Sequence, residues 1–137
     1  MYKRQEPILD DARISDPGSV KRVLLHAGKL HYDLLAELEK RDDAQAFALV
    51  RLEQFYPLDY AAMNTLLGRY PNADLVWVQE EPENQGAWPF INFDLAPHLE
   101  GRTITVASRP ASAATATGSS KRSAAEQTEF LARALTL

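Results

Sequence analysis

The sequence predicts an α/β fold, a three-layer α/β/α sandwich on a mostly parallel sheet of about four to five strands. Three observations carry this. From Val20 onward, short apolar runs alternate with stretches of helical period, as βαβ units do. Most of the runs are continuously apolar, as strands covered on both faces require. The chain has 137 residues, which suits one domain able to bury roughly two-thirds of its unfolded surface.

The elements follow in order. Residues 1 to 19 are polar, with Pro7, Pro17 and Gly18, and read as a lead-in segment or linker; the folded domain spans 20 to 137. Val23-Leu24-Leu25, between Arg22 and Gly28, is a short buried strand. Leu30, Leu34, Leu35 and Leu38 then fall on one face of a helix, with His31, Asp33, Glu37 and Lys40 on the other. Residues 47 to 52 form a second strand. Pro57 breaks the chain, Asp59 caps a helix, and Tyr60, Met63, Leu67 and Tyr70 give that helix its apolar stripe. Pro71-Asn72 stops it. The third strand is Leu75-Val76-Trp77-Val78, followed by a loop with Pro82 and Gly86. Trp88, Ile91 and Leu95 predict a short helix with Pro89 in its first turn. Residues 103 to 106 alternate more cleanly, as in an edge strand with one wet face. Residues 107 to 120 read as a loop. Ser123 and Glu126 have capping-box spacing for a last helix that starts as early as Ser119 and carries Phe130, Leu131, Ala134 and Leu135.

Composition excludes several classes. The net charge of −4 argues against a nucleic-acid surface. There is no cysteine, hence no disulfide and no thiolate metal site. No apolar run approaches the ~18 residues of a membrane span. Met1 to Asp11 lacks the apolar centre of a secretory signal, so the expected compartment is the cytoplasm.

Open α/β sheets bind ligands beyond the carboxyl ends of their strands. Here those ends are His26-Ala27-Gly28, Glu53-Gln54, Gln79-Glu80-Glu81 and Ser108-Arg109. Glu80 and Glu81 are neighbours that, on an extended chain, point to opposite sides, so they read as a solvated or ion-paired loop end. His26, His31 and His98 show no metal-ligand spacing. Gly28-Lys29 and Gly118-Ser119-Ser120-Lys121 both fail the phosphate-loop pattern, and no G-x-G-x-x-G occurs. Ser119 and Ser120 precede a helix near Arg109, Lys121 and Arg122, which allows an anion site, although capping is the simpler reading. No G-x-S-x-G elbow accompanies the serines and threonines of residues 103 to 120. Trp77, Trp88 and Phe90 flank the long loop and read as core packing or, more sharply, as a contact surface.

One stretch says more. WVQEEPENQGAW, residues 77 to 88, resembles a segment of the C-terminal domain in the thiamine-diphosphate-dependent decarboxylating component of 2-oxoglutarate dehydrogenase. Flanking stretches agree in order and spacing: Gly28-Lys29-Leu30 with residues 32 to 35, residues 50 to 57, and Arg109-Pro110 with Ala116-Thr117-Gly118. The resemblance covers residues 20 to 135 and implies a transketolase C-terminal-domain-like fold. It implies a piece of a longer homodimeric oxidoreductase of the tricarboxylic acid cycle, which passes a succinyl group to a lipoyl-bearing succinyltransferase component. Thiamine diphosphate and Mg would then sit on upstream domains, because the G-D-G…Asn signature is absent here. The domain would brace those domains and have no catalytic residue of its own. It implies a structural role for the loop residues Glu80, Glu81, Asn84, Gln85 and Trp88. The A-T-A-T-G of residues 114 to 118 is similar to actinobacterial-type multifunctional members, some of which carry an acetyl-CoA activator site. On that resemblance Lys29, Ser108 and Arg109 are the candidate phosphate or pantetheine contacts. His26 departs from the family pattern, which has a small residue or cysteine there. The alternative reading is a free-standing small-molecule or acyl-CoA binding module.

Overall fold

The structure, a computed structural model, describes residues 8–55, 57–111 and 120–137. Its centre is a five-stranded sheet of order β1-β3-β2-β4-β5. The strands are β1 (Ile8–Leu9), β2 (Arg22–His26), β3 (Phe47–Leu52), β4 (Asp74–Pro82) and β5 (Ile104–Arg109). β2, β3, β4 and β5 run parallel, and β1 pairs with β3 antiparallel. Val23, Leu24 and Leu25 are fully buried because β2 lies in the middle with helices on both faces.

Alternate side chains of each strand feed two cores. Leu24, Leu49 and Val76 meet Leu30, Leu34 and Leu38 of α1 (Leu30–Glu39) and Phe130 and Ala134 of α4 (Ser120–Ala134). Val23, Leu25, Val50 and Trp77 meet Met63 and Leu67 of α2 (Tyr60–Leu67) and the segment after β4. That segment starts as α3 (Trp88–Phe90) and continues as a π-helical stretch (Ile91–Leu95) and a 3₁₀ turn (Ala96–His98). Pro89 sits in its first turn, where a missing N–H costs nothing. The predicted three-layer α/β/α sandwich is therefore the observed one, with five strands.

Several details differ from the sequence reading. From Ile8 onward the lead-in contributes a strand to the sheet, and Ile8 and Ile14 are buried. Polar anchors hold it: Arg13 donates to the carbonyls of Ala44 (2.9 Å) and Phe47 (2.6 Å), and Asp11 accepts from the Leu49 N–H (2.8 Å). β4 does not stop at Val78; it runs on to Pro82 through an irregularity in register, so Glu80 and Glu81 lie on a strand and not in a loop. α2 ends at Leu67, leaving Tyr70 beyond the helix yet fully buried. α4 starts by Ser120, which places Ser123 inside the helix and removes its capping role. β5 is the edge strand that its alternation predicts, with Thr105 exposed and Ile104 buried, but it runs on through residues 107 to 109, which read as loop in the sequence.

Two arginines close the amino end of the sheet. Arg22 pairs with Asp74 at 2.9 Å and donates to the carbonyls of Arg133, Ala134 and Thr136, at the carboxyl end of α4. Arg102 donates to the carbonyls of Leu67, Tyr70 and Ala73 at 2.7 to 2.8 Å. Each adds a charged donor to carbonyls at a helix end or turn, some of which, such as Leu67, Tyr70 and Arg133, also accept a backbone N–H. Burial lowers the Arg102 pKa from its ordinary value.

Candidate functional site at the strand ends

Connections from β2 and β4 leave in opposite directions. α1 leads from β2 to β3 over one face, and α3 and its continuation lead from β4 to β5 over the other. The carboxyl ends of β2 and β4 are thus a topological switch point, where a crevice must open. A cleft of about 360 Å³ lies there. Ala27, Gly28, Lys29 and Leu30 form one wall, Glu80, Glu81 and Ala87 line it from the β4 side, and Phe55 lies at its base against the buried Trp77. The two rings meet edge-on at 6.0 Å between centroids. Gly28 has φ +68°, which makes the tight turn from β2 into α1. α1 begins without a side-chain cap.

Gln79 holds the β4 side of the cleft together. It is buried, and its Oε1 accepts from the Trp77 Nε1–H (2.9 Å) and from the Trp88 N–H (2.8 Å). Its Nε2 donates to the carbonyls of Glu81 (3.2 Å), Pro82 (2.9 Å) and Gln85 (2.7 Å). One side chain thereby ties the strand end to α3 and satisfies the carbonyls of the turn between them. Gly86 completes the turn: its φ is +65°, and a Cβ there would stand 3.0 Å from Glu81 Cβ.

Across the sheet end lies a histidine pair. His26 is fully buried, with Nδ1 at 2.9 Å from the Leu24 carbonyl and Nε2 at 3.0 Å from His31 Nδ1. A carbonyl only accepts, so His26 Nδ1 carries the proton and Nε2 accepts from His31 Nδ1–H. The rings stack at 5.2 Å. Burial pushes the His26 pKa down to about 4, more than the Leu24 carbonyl raises it. His31 is lowered too, by burial first and by Arg51 next. Arg51 itself pairs with Glu53 at 3.0 Å.

The predicted residues fall into two groups. Glu81, Gln85 and Trp88 gather around Gln79, while Glu80 turns the other way and accepts from Gln127 of α4 at 3.4 Å. Asn84 stays exposed on the turn. Lys29, Ser108 and Arg109 are not brought together. Lys29 stands exposed on the cleft wall. Ser108 is buried, its hydroxyl donating to the Arg109 carbonyl at 3.0 Å. The Arg109 guanidinium faces α4, donating to the Ser123 carbonyl (2.9 Å) and to Gln127 Oε1 (2.8 Å), against the Phe130 ring. His98 stacks on Tyr60 at 3.9 Å. Ser119 and the A-T-A-T-G stretch lie outside the described residues. Sequence reasoning placed His31 on a polar helix face and passed over Gln79. A polar residue between two tryptophans at the end of an apolar strand was the available signal.

A mostly parallel α/β sheet with a cleft at its switch point defines an α/β domain of the doubly wound type. The chain belongs to the 2-oxoglutarate dehydrogenase C-terminal family, whose model matches residues 2–135. Residues 77 to 88 sit within that match, at the Gln79 turn. Two curated relatives are each called 2-oxoglutarate dehydrogenase E1 component. The protein from Cupriavidus necator is 40% identical over 115 residues, covering 82% of this chain and 12% of the relative. The protein from Brucella anthropi is 37% identical over 140 residues, covering 98% of this chain and 13% of the relative. The chain thus spans about an eighth of the length of the curated relatives it matches.

Proposed function

We propose that this chain acts as the C-terminal scaffold and regulatory domain of a 2-oxoglutarate-decarboxylating dehydrogenase, a homodimeric cytoplasmic enzyme that serves a lipoyl-bearing succinyltransferase. One observation carries this: a family match across residues 2–135 to proteins about eight times its length. The thiamine diphosphate and Mg of such an enzyme do not fit the described residues. Their buried polar side chains, His26, Gln79 and Ser108, all bind internal partners, and no three acidic or histidine groups cluster to hold a metal. On this reading the domain works by holding its neighbours and takes no part in the reaction. The test is to delete residues 8 to 137 from the long enzyme and measure decarboxylation and subunit mass. Loss of both the dimer and turnover is expected; full activity would reject the scaffold role.

A second reading, an acetyl-CoA effector site, is favoured by the position of Lys29 at the uncapped amino end of α1. With Ser108 and Arg109 it was the expected contact set. Arg109 would have to leave its α4 partners to join. On this reading Lys29→Ala weakens acetyl-CoA activation more than Arg109→Ala. Activation untouched by either change would remove the site.

A further inference from the structure

We infer that His26 and His31 form a two-proton latch on the cleft wall. The first proton lands on His31 and leaves the two rings joined. The second lands on His26, parts them, and frees the first turn of α1 from the end of β2 while the sheet stays folded.

The order of the protons follows from which nitrogens are taken. The Leu24 carbonyl commits His26 Nδ1 to donate, so Nε2 is the only place where that ring can accept, and His31 Nδ1–H fills it at 3.0 Å. His26 is fully buried with both nitrogens engaged. His31 is half-buried, and its Nε2 makes no hydrogen bond among the described residues. A proton there makes an imidazolium that still donates through Nδ1, so the bond to His26 survives. A second proton has only His26 Nε2 left, where it meets the Nδ1–H of His31 head-on. The rings titrate as a couple, and one step keeps the bond while the other ends it. The charges that act on them are Arg51 of β3, Glu53 just beyond it, and Asp11 and Arg13 of the lead-in. These four are matched as two ion pairs, Arg51 with Glu53 at 3.0 Å and Arg13 with Asp11 at 2.9 Å, so none of them is a spare carboxylate for an imidazolium.

What the latch holds is the start of α1. The helix begins without a side-chain cap, after the turn at Gly28 with its φ of +68°. Its first backbone bonds run from the His31 and Tyr32 N–H groups to the Gly28 and Lys29 carbonyls, at 3.3 and 3.0 Å. The histidine bond ties this turn to β2. Leu34 and Leu38 are fully buried and anchor the rest of the helix. Leu30 is buried too and must leave its contacts when the turn opens, which keeps opening rare at neutral pH. Gly28, Lys29 and Leu30 line the cleft, so release of the turn moves one of its walls. Opening returns His26 to its ordinary pKa from about 4, so the open form binds the extra proton and gains as pH falls between those limits.

The test labels the three histidines of the full chain isotopically and follows their ring nitrogens by NMR as pH falls, beside residue-resolved hydrogen exchange corrected for the intrinsic rate. At neutral pH both His26 and His31 should be in the Nδ1–H form, and His31 should titrate first. Once it has, opening read at the Tyr32 amide should rise about ten-fold per pH unit, the mark of one proton taken up. It should also depend on urea far more weakly than exchange at Leu24 or Val76, as a local opening does. The latch is overturned if His26 titrates first or together with His31, if exchange is indifferent to pH or counts two protons, or if its urea dependence equals that of the sheet. His31→Ala, at a half-buried position, should speed exchange of the Tyr32 amide roughly ten-fold at pH 7 and flatten its pH slope. An unchanged Tyr32 amide in that variant would also overturn it.

Discussion

The two ends of the sheet are built on opposite principles. At the amino end, Arg22 and Arg102 turn inward and bind six backbone carbonyls between them. At the carboxyl end, the inward bonds converge on Gln79 and His26, and the charged side chains Lys29 and Glu81 face out around an open cleft. The amino end is finished by its own chain. The carboxyl end is rigid beneath and open above. Rigidity and openness are supplied by different residues, so they can be broken separately.

The largest break should come at Gln79. Gln79→Leu leaves the Trp77 Nε1–H, the Trp88 N–H and three carbonyls without their shared partner, and should destabilise the fold by about 3 kcal/mol. Urea titration of the variant measures this. A loss below roughly 1 kcal/mol would mean that water replaces the amide and that the turn is not held by it.

Acid should act nearly as strongly, through His26. Its folded pKa is about 4 against an ordinary 6.5, so the unfolded chain takes up the proton first as pH falls. Stability from this group is complete above pH 6.5 and is lost progressively down to pH 4, to a limit of about 3 kcal/mol. His31 adds to the loss in the same direction. Thermal melts from pH 7 to 4 should show the slope, and His26→Gln should flatten most of it.

The closed end should respond less. Arg102→Ala removes a donor from three carbonyls, of which those of Leu67 and Tyr70 keep a backbone N–H, for a cost of about 2 kcal/mol. Smallest of all is Lys29→Glu, which should change stability by less than about 0.5 kcal/mol because the side chain is exposed. A large effect on folding would show that the rim is part of the scaffold and would erase the contrast between the two ends.

Much of the fold was readable because its pattern is local. Continuous apolar runs marked β2, β3 and β4, and Leu30, Leu34 and Leu38 marked α1. What escaped depends on distant polar partners. β1 is two residues long and is anchored by Asp11 and Arg13 to residues more than 30 positions away. The extension of β4 past Val78 runs through Glu80 and Glu81, whose polarity reads as loop. The histidine pair was hidden for a related reason. His31 sits at a helix position that looks wet, and only the turn at Gly28 swings it onto His26. The candidate site was legible as a location, the strand ends, but not as a residue set. Lys29 is on the cleft, whereas Arg109 is drawn to α4 by groups 14 to 18 residues later in sequence.

The shortness of β1 has a practical edge. Among the described residues, Ile8 and Leu9 alone pair with the outer rim of β3, a strand in which five of six residues are buried. A chain trimmed to begin at Asp10 would uncover an apolar strand with free backbone donors and acceptors, the template on which sheets grow from one molecule to the next. Such a product should come out of cells as aggregate, and a cut placed before Ile8 should not.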